Sequence, residues 1–420
     1  MALPAPAASA AEPPQLDPDG DDDPVDTGTG ELPALAHFER VGRSRLALRQ
    51  ICDLTPFKGA LYAAHAYQPL GLDGATVIAY RPDEDPSKRF TTAFDWNRPG
   101  EKQQGGGAGQ GFLRVHAFSG RLFVPDADPP YNGLGLAEHG TEGYVFISDR
   151  DGQFARARQP GHRPPGPPDA EGRPGAGVLP RAYHVLDAIS FRGRYYASTG
   201  SVPPKQAAWS GPAPGALHVA NPELSRWTYE VDYPYPWKDG VWRLTFLVRF
   251  KDRLYAGIQD YDGREPNDYV YFDPPADATA ITREYVHPVR VTRSGAAQTL
   301  RWYADGGRLY WIAWTREGVM LRVTEDGDHW SEVGLGSGMG WPTDLTRWRG
   351  KLVVMMERGL QGLDGTVIAQ VTEKKSPFAL LDVLCGAPIA VFDNELYAGG
   401  QRDGALYKLV EGPSGGDGGR

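Results

Sequence analysis

Apolar and polar positions in this chain alternate over short stretches that end in turn residues, the period-two signature of β-strands. ATVIAY at 75–80, GYVFIS at 143–148 and DYVYFD at 268–273 are three such stretches. One longer phrase recurs seven times: an aromatic or Asp, two turn residues, then a strand opening on Leu or Tyr. The copies are FKGALYA from Phe57, FSGRLFV from Phe118, FRGRYYA from Phe191 and FKDRLYA from Phe250. DGGRLYW from Asp305, WRGKLVV from Trp348 and FDNELYA from Phe392 complete the set. Gly, Asp or Asn stands two residues before each anchor Leu or Tyr, where a tight hairpin requires positive φ.

The anchors fall at 61, 122, 195, 254, 309, 352 and 396, at intervals of 61, 73, 59, 55, 43 and 44 residues. The short intervals match the ~40–50 residues of a four-stranded propeller blade. The long ones imply insertions in the first four modules. The pattern predicts an all-β, seven-bladed propeller of four-stranded antiparallel blades. An apolar strand such as DAISF at 187–191 precedes the turn and one such as LYAGI at 254–258 follows it. A third strand commonly opens on Gly, including GTVIAQ from Gly365 in module 6 and GALYKL from Gly404 in module 7. RWTYEV from Arg226 and HWSEVG from His329 read as fourth strands. Module 7 is too short for one. HFERVG from His37 resembles HWSEVG, so the N-terminal strand is expected to complete the last blade and close the ring. Residues 34–411 then form the propeller, between an Ala/Pro-rich and acidic tail at 1–33 and a Gly-rich tail at 412–420.

Composition agrees. Gly at 53 and Pro at 37 are abundant, beside 20 Tyr and 11 Trp, which favours short strands and turns over long helices. The formal net charge of −9 and the lack of a basic stripe argue against a nucleic-acid partner. No apolar run approaches the ~20 residues of a membrane helix. ALPAPAASAA at 2–11 resembles the small-residue end of a signal peptide, although no charged start or long apolar segment precedes it. Export is the reading taken; an Ala/Pro-rich tail is the alternative. DPDGDDDPVD at 17–26 offers oxygen ligands that would suit Ca²⁺, or is a solvated acidic linker. No other cofactor is expected. Of the two cysteines, Cys52 lies on the inner strand of module 1 and Cys385 at the start of that of module 7, which a closed ring makes neighbours. A disulfide there would close a loop of more than 300 residues, a constraint of roughly 5 kcal/mol. Two buried thiols are the alternative.

The repeated phrase resembles kelch-type and other bacterial propeller repeats. Gly306-Gly307 and Gly399-Gly400 echo the kelch double glycine. Thr324-Glu325-Asp326-Gly327-Asp328-His329-Trp330 resembles the Asp-box of sialidase-type propellers, and Ser148-Asp149-Arg150-Asp151-Gly152-Gln153-Phe154 a degenerate second copy. That resemblance implies a structural hairpin away from any active site, with Asp326 and Trp330 holding the turn. The arginine triad of a sialidase is not assignable, and no catalytic residue is carried over.

The inner strands break their own apolar rule at one position. Eight residues before the anchors stand Asp53, Arg114, Asp187, Phe246, Arg301, Asp344 and Pro388. Two residues further on, Thr55, His116, Tyr303 and Thr346 face the same side. Asp53, Arg114, Asp187, Arg301 and Asp344 are therefore expected to ring the channel mouth. They would form a site for a polyol or a cation, or ion pairs and Asp-to-backbone bonds that tie blades together. The long loops of modules 1 to 4 fall on the same face and carry Tyr67, Asp128, Tyr131, Trp209 and Tyr261. Aromatics beside carboxylates suit a sugar ring, a protein partner, or loop packing. If the protein is catalytic, Asp53, Asp187 and Asp344 are the candidates, since glycoside hydrolysis needs a carboxylate pair ~5 or ~6.5–9.5 Å apart. The expectation is thus an exported, monomeric propeller that binds a carbohydrate or other extracellular ligand. A hydrolase or lyase and a protein-interaction scaffold are the alternatives.

Overall fold

The computed structural model describes residues 29–46, 48–66, 74–96, 111–127, 142–156, 165–169, 171–182, 184–200, 215–234, 243–260 and 265–412. Among these the protein is all-β apart from one short 3₁₀ turn, Arg283–Tyr285. The strands form three four-stranded sheets and two eight-stranded ones. Each eight-stranded sheet consists of two four-stranded antiparallel runs that meet at a single residue pair, Gly200 with Arg243 or Ala36 with Ala369.

Taken in chain order, the runs open on Gln50–Phe57, His116–Phe118, His184–Phe191, Arg243–Phe250, Gln298–Asp305, Pro342–Trp348 and Ile389–Phe392. These inner strands contact one another in that cyclic order, and the last returns to the first. Six of the seven apolar core clusters lie between consecutive runs, and the seventh also draws in Cys52, Leu113, Leu186 and Cys385 near the strand entrances. Trp96, Phe112 and Phe146 pack between runs 1 and 2, and Trp302, Trp311 and Tyr269 between runs 4 and 5. Ile51, Leu61, Phe392 and Tyr397 seal run 7 against run 1. The fold is thus a closed succession of twisted sheets packed face to face, with no bare edge between first and last.

Every copy of the repeated phrase makes the same hairpin. Its two turn residues have positive φ in all seven runs, from Lys58 and Gly59 at 45° and 71° to Asp393 and Asn394 at 51° and 63°. Positive φ at both positions is the type I′ turn, whose twist matches that of the flanking strands. The N-terminal strand Ala36–Arg43 pairs antiparallel with Ala405–Glu411, His37 opposite Val410, and supplies the outer strand of run 7 as expected.

Three sequence assignments are corrected. In run 6 the third strand is Gly359–Gly362, and GTVIAQ supplies the fourth, Val367–Gln370. GLQG has no apolar alternation, and the turn before it has only two residues, Glu357 and Arg358, so the pattern passed over it. In run 2 the inner strand begins at His116, which leaves Arg114 just ahead of it. Cys385 likewise precedes the inner strand of run 7, at an isolated bridge with Asp382. The acidic segment 17–26 lies outside the described residues.

Candidate functional site

Charged side chains of runs 1, 3, 5 and 6 reach other runs at the strand entrances, and the cause is local. In the first, third, fifth and sixth inner strands one unpaired residue sits directly before the set: Cys52, Leu186, Leu300 and Thr343. Such β-bulges bend the strand and re-aim the next side chain. Each aspartate is thereby turned toward the following run. Asp53 accepts the Val115 N–H at 3.0 Å, Asp187 the Leu247 N–H at 2.8 Å and Asp344 the Ile389 N–H at 2.9 Å. The three acceptor positions are equivalent, and so are the three donors. Asp187 and Asp344 also accept the N–H of the residue after them, Ala188 and Leu345.

Two arginines reach beyond the neighbouring run, Arg301 from run 5 to run 1 and Arg114 from run 2 to run 5. Arg301 Nη1 donates to Asp53 Oδ1 at 2.9 Å and Nη2 to the Cys52 carbonyl at 3.4 Å. Its Nε lies 2.9 Å from Asp344 Oδ1, an ion pair without hydrogen-bond alignment. One guanidinium thus spans runs 1, 5 and 6. Arg114 donates to the Leu113 and Leu300 carbonyls, and its guanidinium lies 3.6 Å from the centre of the Phe246 ring. His116 Nε2 is 2.6 Å from Asp187 Oδ1, and the imidazole stacks on Phe118. Thr55 donates to the Val115 carbonyl, while the Tyr303 hydroxyl accepts the Arg347 N–H nearer the turn end.

Electrostatics follow from burial set against these partners. Burial opposes ionisation of Asp53, but Arg301, then Arg114 and His116, outweigh it and hold the carboxyl below its usual range. For Asp344 burial prevails over Arg301 and raises the carboxyl. Burial, with Arg301 nearby, brings Arg114 down to about 10. His116 is raised, because Asp187 overcomes the cost of burying an imidazolium.

Cys52 and Cys385 are joined by a disulfide, Cα–Cα 4.8 Å, across 333 residues. The bulge residue Cys52 thereby pins run 1 to the segment entering run 7, one residue from Asp53. A second polar tier lies above the axial cluster. Gln401 Nε2 donates to the Ile51 carbonyl at 2.7 Å, Arg243 Nη1 to Gln259 at 3.1 Å, and Arg243 Nη2 lies 2.8 Å from His184 Nε2. Sequence reading missed this tier. Its signal is a second polar position eleven residues before the anchors, held by Gln50, His184, Arg243 and Gln298.

Tyr67, Asp128, Tyr131, Trp209 and Tyr261 lie outside the described residues. The hairpin at 324–330 is a tight turn that also contacts run 4. Asp326 Oδ1 accepts the Asp328 and His329 N–H groups, and Trp330 Nε1 reaches the Tyr269 hydroxyl at 2.9 Å. A Cβ on Gly327 would strike the hydroxyl of Tyr255 in the preceding run, and one on Gly152 that of Tyr62. The Tyr of the repeated phrase therefore packs beneath the next run's outer hairpin. A cleft of about 640 Å³ opens at the turn ends of runs 5 and 6, opposite the strand entrances. Its Arg347 and Arg308 are already paired, with Asp305 and Glu325, so the chemistry is argued from the axial cluster instead. No group of three or more metal-ligating side chains occurs among the described residues, nor does any helix long and apolar enough to cross a membrane.

No protein-family model matches the chain, and no curated protein does. Solved structures do. Virginiamycin B lyase from Staphylococcus aureus is 8% identical over 89% of this chain and 99% of its own, with a TM-score of 0.51. The extracellular domain of a hybrid two-component system from B. thetaiotaomicron gives 8%, 90% of this chain, 40% of its own and a TM-score of 0.49. The periplasmic gluconolactonase of Pseudomonas aeruginosa gives 13%, 83%, 94% and 0.43. At these identities the likeness speaks to the fold alone. The chain is an all-β protein of β-propeller-like architecture.

Proposed function

We propose that this protein is an exported, monomeric, seven-bladed β-propeller spanning residues 34–411, which binds a carbohydrate or other extracellular ligand at the mouth of its axis. The seven four-stranded runs are its blades, and the outer hairpins at 148–154 and 324–330 support kinship with Asp-box propellers. The disulfide fits an oxidising compartment. The observation that carries the binding reading is the axial cluster itself. Five charged side chains and His116 meet there, and the His116 side chain keeps 27% of its surface open. A purely structural tie has no need of an open imidazole.

The hydrolase alternative is weaker. It needs carboxylate oxygens able to work on a substrate, yet both oxygens of Asp53, Asp187 and Asp344 already have protein partners. The test is a binding screen against immobilised neutral and acidic glycans and secreted-protein fractions, with wild type beside His116→Ala. Binding that His116→Ala abolishes while circular dichroism shows the variant folded supports the reading. Binding indifferent to His116 moves the site off the axis.

A further inference from the structure

The axial cluster has an inside and an outside. The three aspartates face the wall: their side chains are 9%, 2% and 5% exposed at Asp53, Asp187 and Asp344. Their acceptor capacity is spent on five backbone N–H groups, Arg301 and His116. The groups that keep surface are cations, His116 at 27% and Arg301 at 13%. Asp187 holds His116 through Nε2, which leaves Nδ1 over. Arg301 uses one N–H of each Nη on Asp53 and Cys52, which leaves the second N–H of each. Among the described residues no protein partner meets Nδ1, which donates when the ring is protonated, or the two remaining Nη N–H groups. Each is fixed by a partner behind it, so it costs little further ordering to use.

We infer that the axial mouth recognises an anionic group, specifically the carboxylate of an acidic sugar or similar small organic acid, through His116 and Arg301. This rests on the reading of the mouth as the ligand site, and it replaces the polyol or cation expected from the sequence. A cation would meet only donors. A neutral polyol would accept from the same N–H groups without the gain of a charge-assisted bond on both sides. With His116 protonated, the three aspartates balance Arg114, Arg301 and His116. Recognition then comes from aimed donors, with little long-range attraction. Asp187 and Asp53 are positioning residues that hold the two readers in place.

The test titrates the full chain with sodium D-glucuronate, D-glucuronamide and D-glucose, following the His116 ring nitrogens by NMR. Glucuronate is expected to shift them and to bind about ten- to a hundredfold more tightly than its amide, the range for a charge-assisted contact. His116→Gln, which keeps a polar group of similar reach, should lose about tenfold for glucuronate and nothing for the amide. Equal binding of glucuronate and its amide, or glucuronate binding unchanged by His116→Gln, overturns the inference. If a neutral glycan alone perturbs His116, the anion inference falls and the ligand-binding reading stands. If no probe or screened ligand moves the His116 signals, both fall.

Discussion

The inner strands have two ends that solve different problems. At the turn end all seven make the same type I′ hairpin, with two positive-φ residues and no help from other runs. At the entrance end five strands shift register, and in four of them the side chain that follows the bulge bonds to another run. The turn end is local and repeated; the entrance end is long-range and differs from run to run. Regularity therefore builds the ring, and departures from it bring the charged groups of the axial cluster together.

The largest test of this contrast is Asp187→Ala. It orphans the buried Leu247 N–H and frees His116, so a loss of about 3–5 kcal/mol is expected in urea unfolding. Asp187→Asn, which retains an acceptor, should lose clearly less. Next comes the disulfide: Cys52→Ala with Cys385→Ala should cost about 2–5 kcal/mol, read as a lower unfolding midpoint that reductant no longer changes. At the turn end, Gly120→Val places a β-branched residue at φ of 70° where a Cβ meets nothing within 4 Å. Its cost is backbone strain alone, about 1–2 kcal/mol. A turn variant as damaging as Asp187→Ala would break the comparison.

The smallest effect is in pH. Because the folded value of His116 is raised, its contribution to stability is whole below about pH 6.5, the unfolded value, and is lost as pH rises through the folded one. Asp53 acts oppositely, its contribution being lost as acid takes the pH down through its lowered value. Unfolding curves from pH 6 to 8 should therefore decline in wild type and flatten in His116→Gln.

How much of this could be read in the sequence follows the same division. The phrase around Leu61, Leu122 and their counterparts located the seven hairpins that follow the inner strands, because a type I′ turn and period-two strands are short-range chemistry. Asp53, Arg114, Asp187, Arg301 and Asp344 stood out because charge replaced an apolar residue at a repeated position. What each would touch was not legible. A bulge at Cys52 or Leu186 shifts register by one residue, and neither residue type announces it. Gly359–Gly362 escaped notice for want of alternation, and the Gln50, His184, Arg243 tier for want of counting back three residues further. That Asp187 accepts the Leu247 N–H while holding His116 depends on three runs being folded together.

The pairing of Ala36–Arg43 with Ala405–Glu411 sets how the protein would respond to force. Ala36 lies opposite Glu411, so a pull on the two ends would peel the pairs one at a time instead of shearing them together. Unzipping of this kind gives way under a small load. It would run only to Cys52 and Cys385, after about 40 residues and at most ~150 Å of extended chain. Beyond that the covalent bond carries the tension, and the rest of the ring is shielded from it.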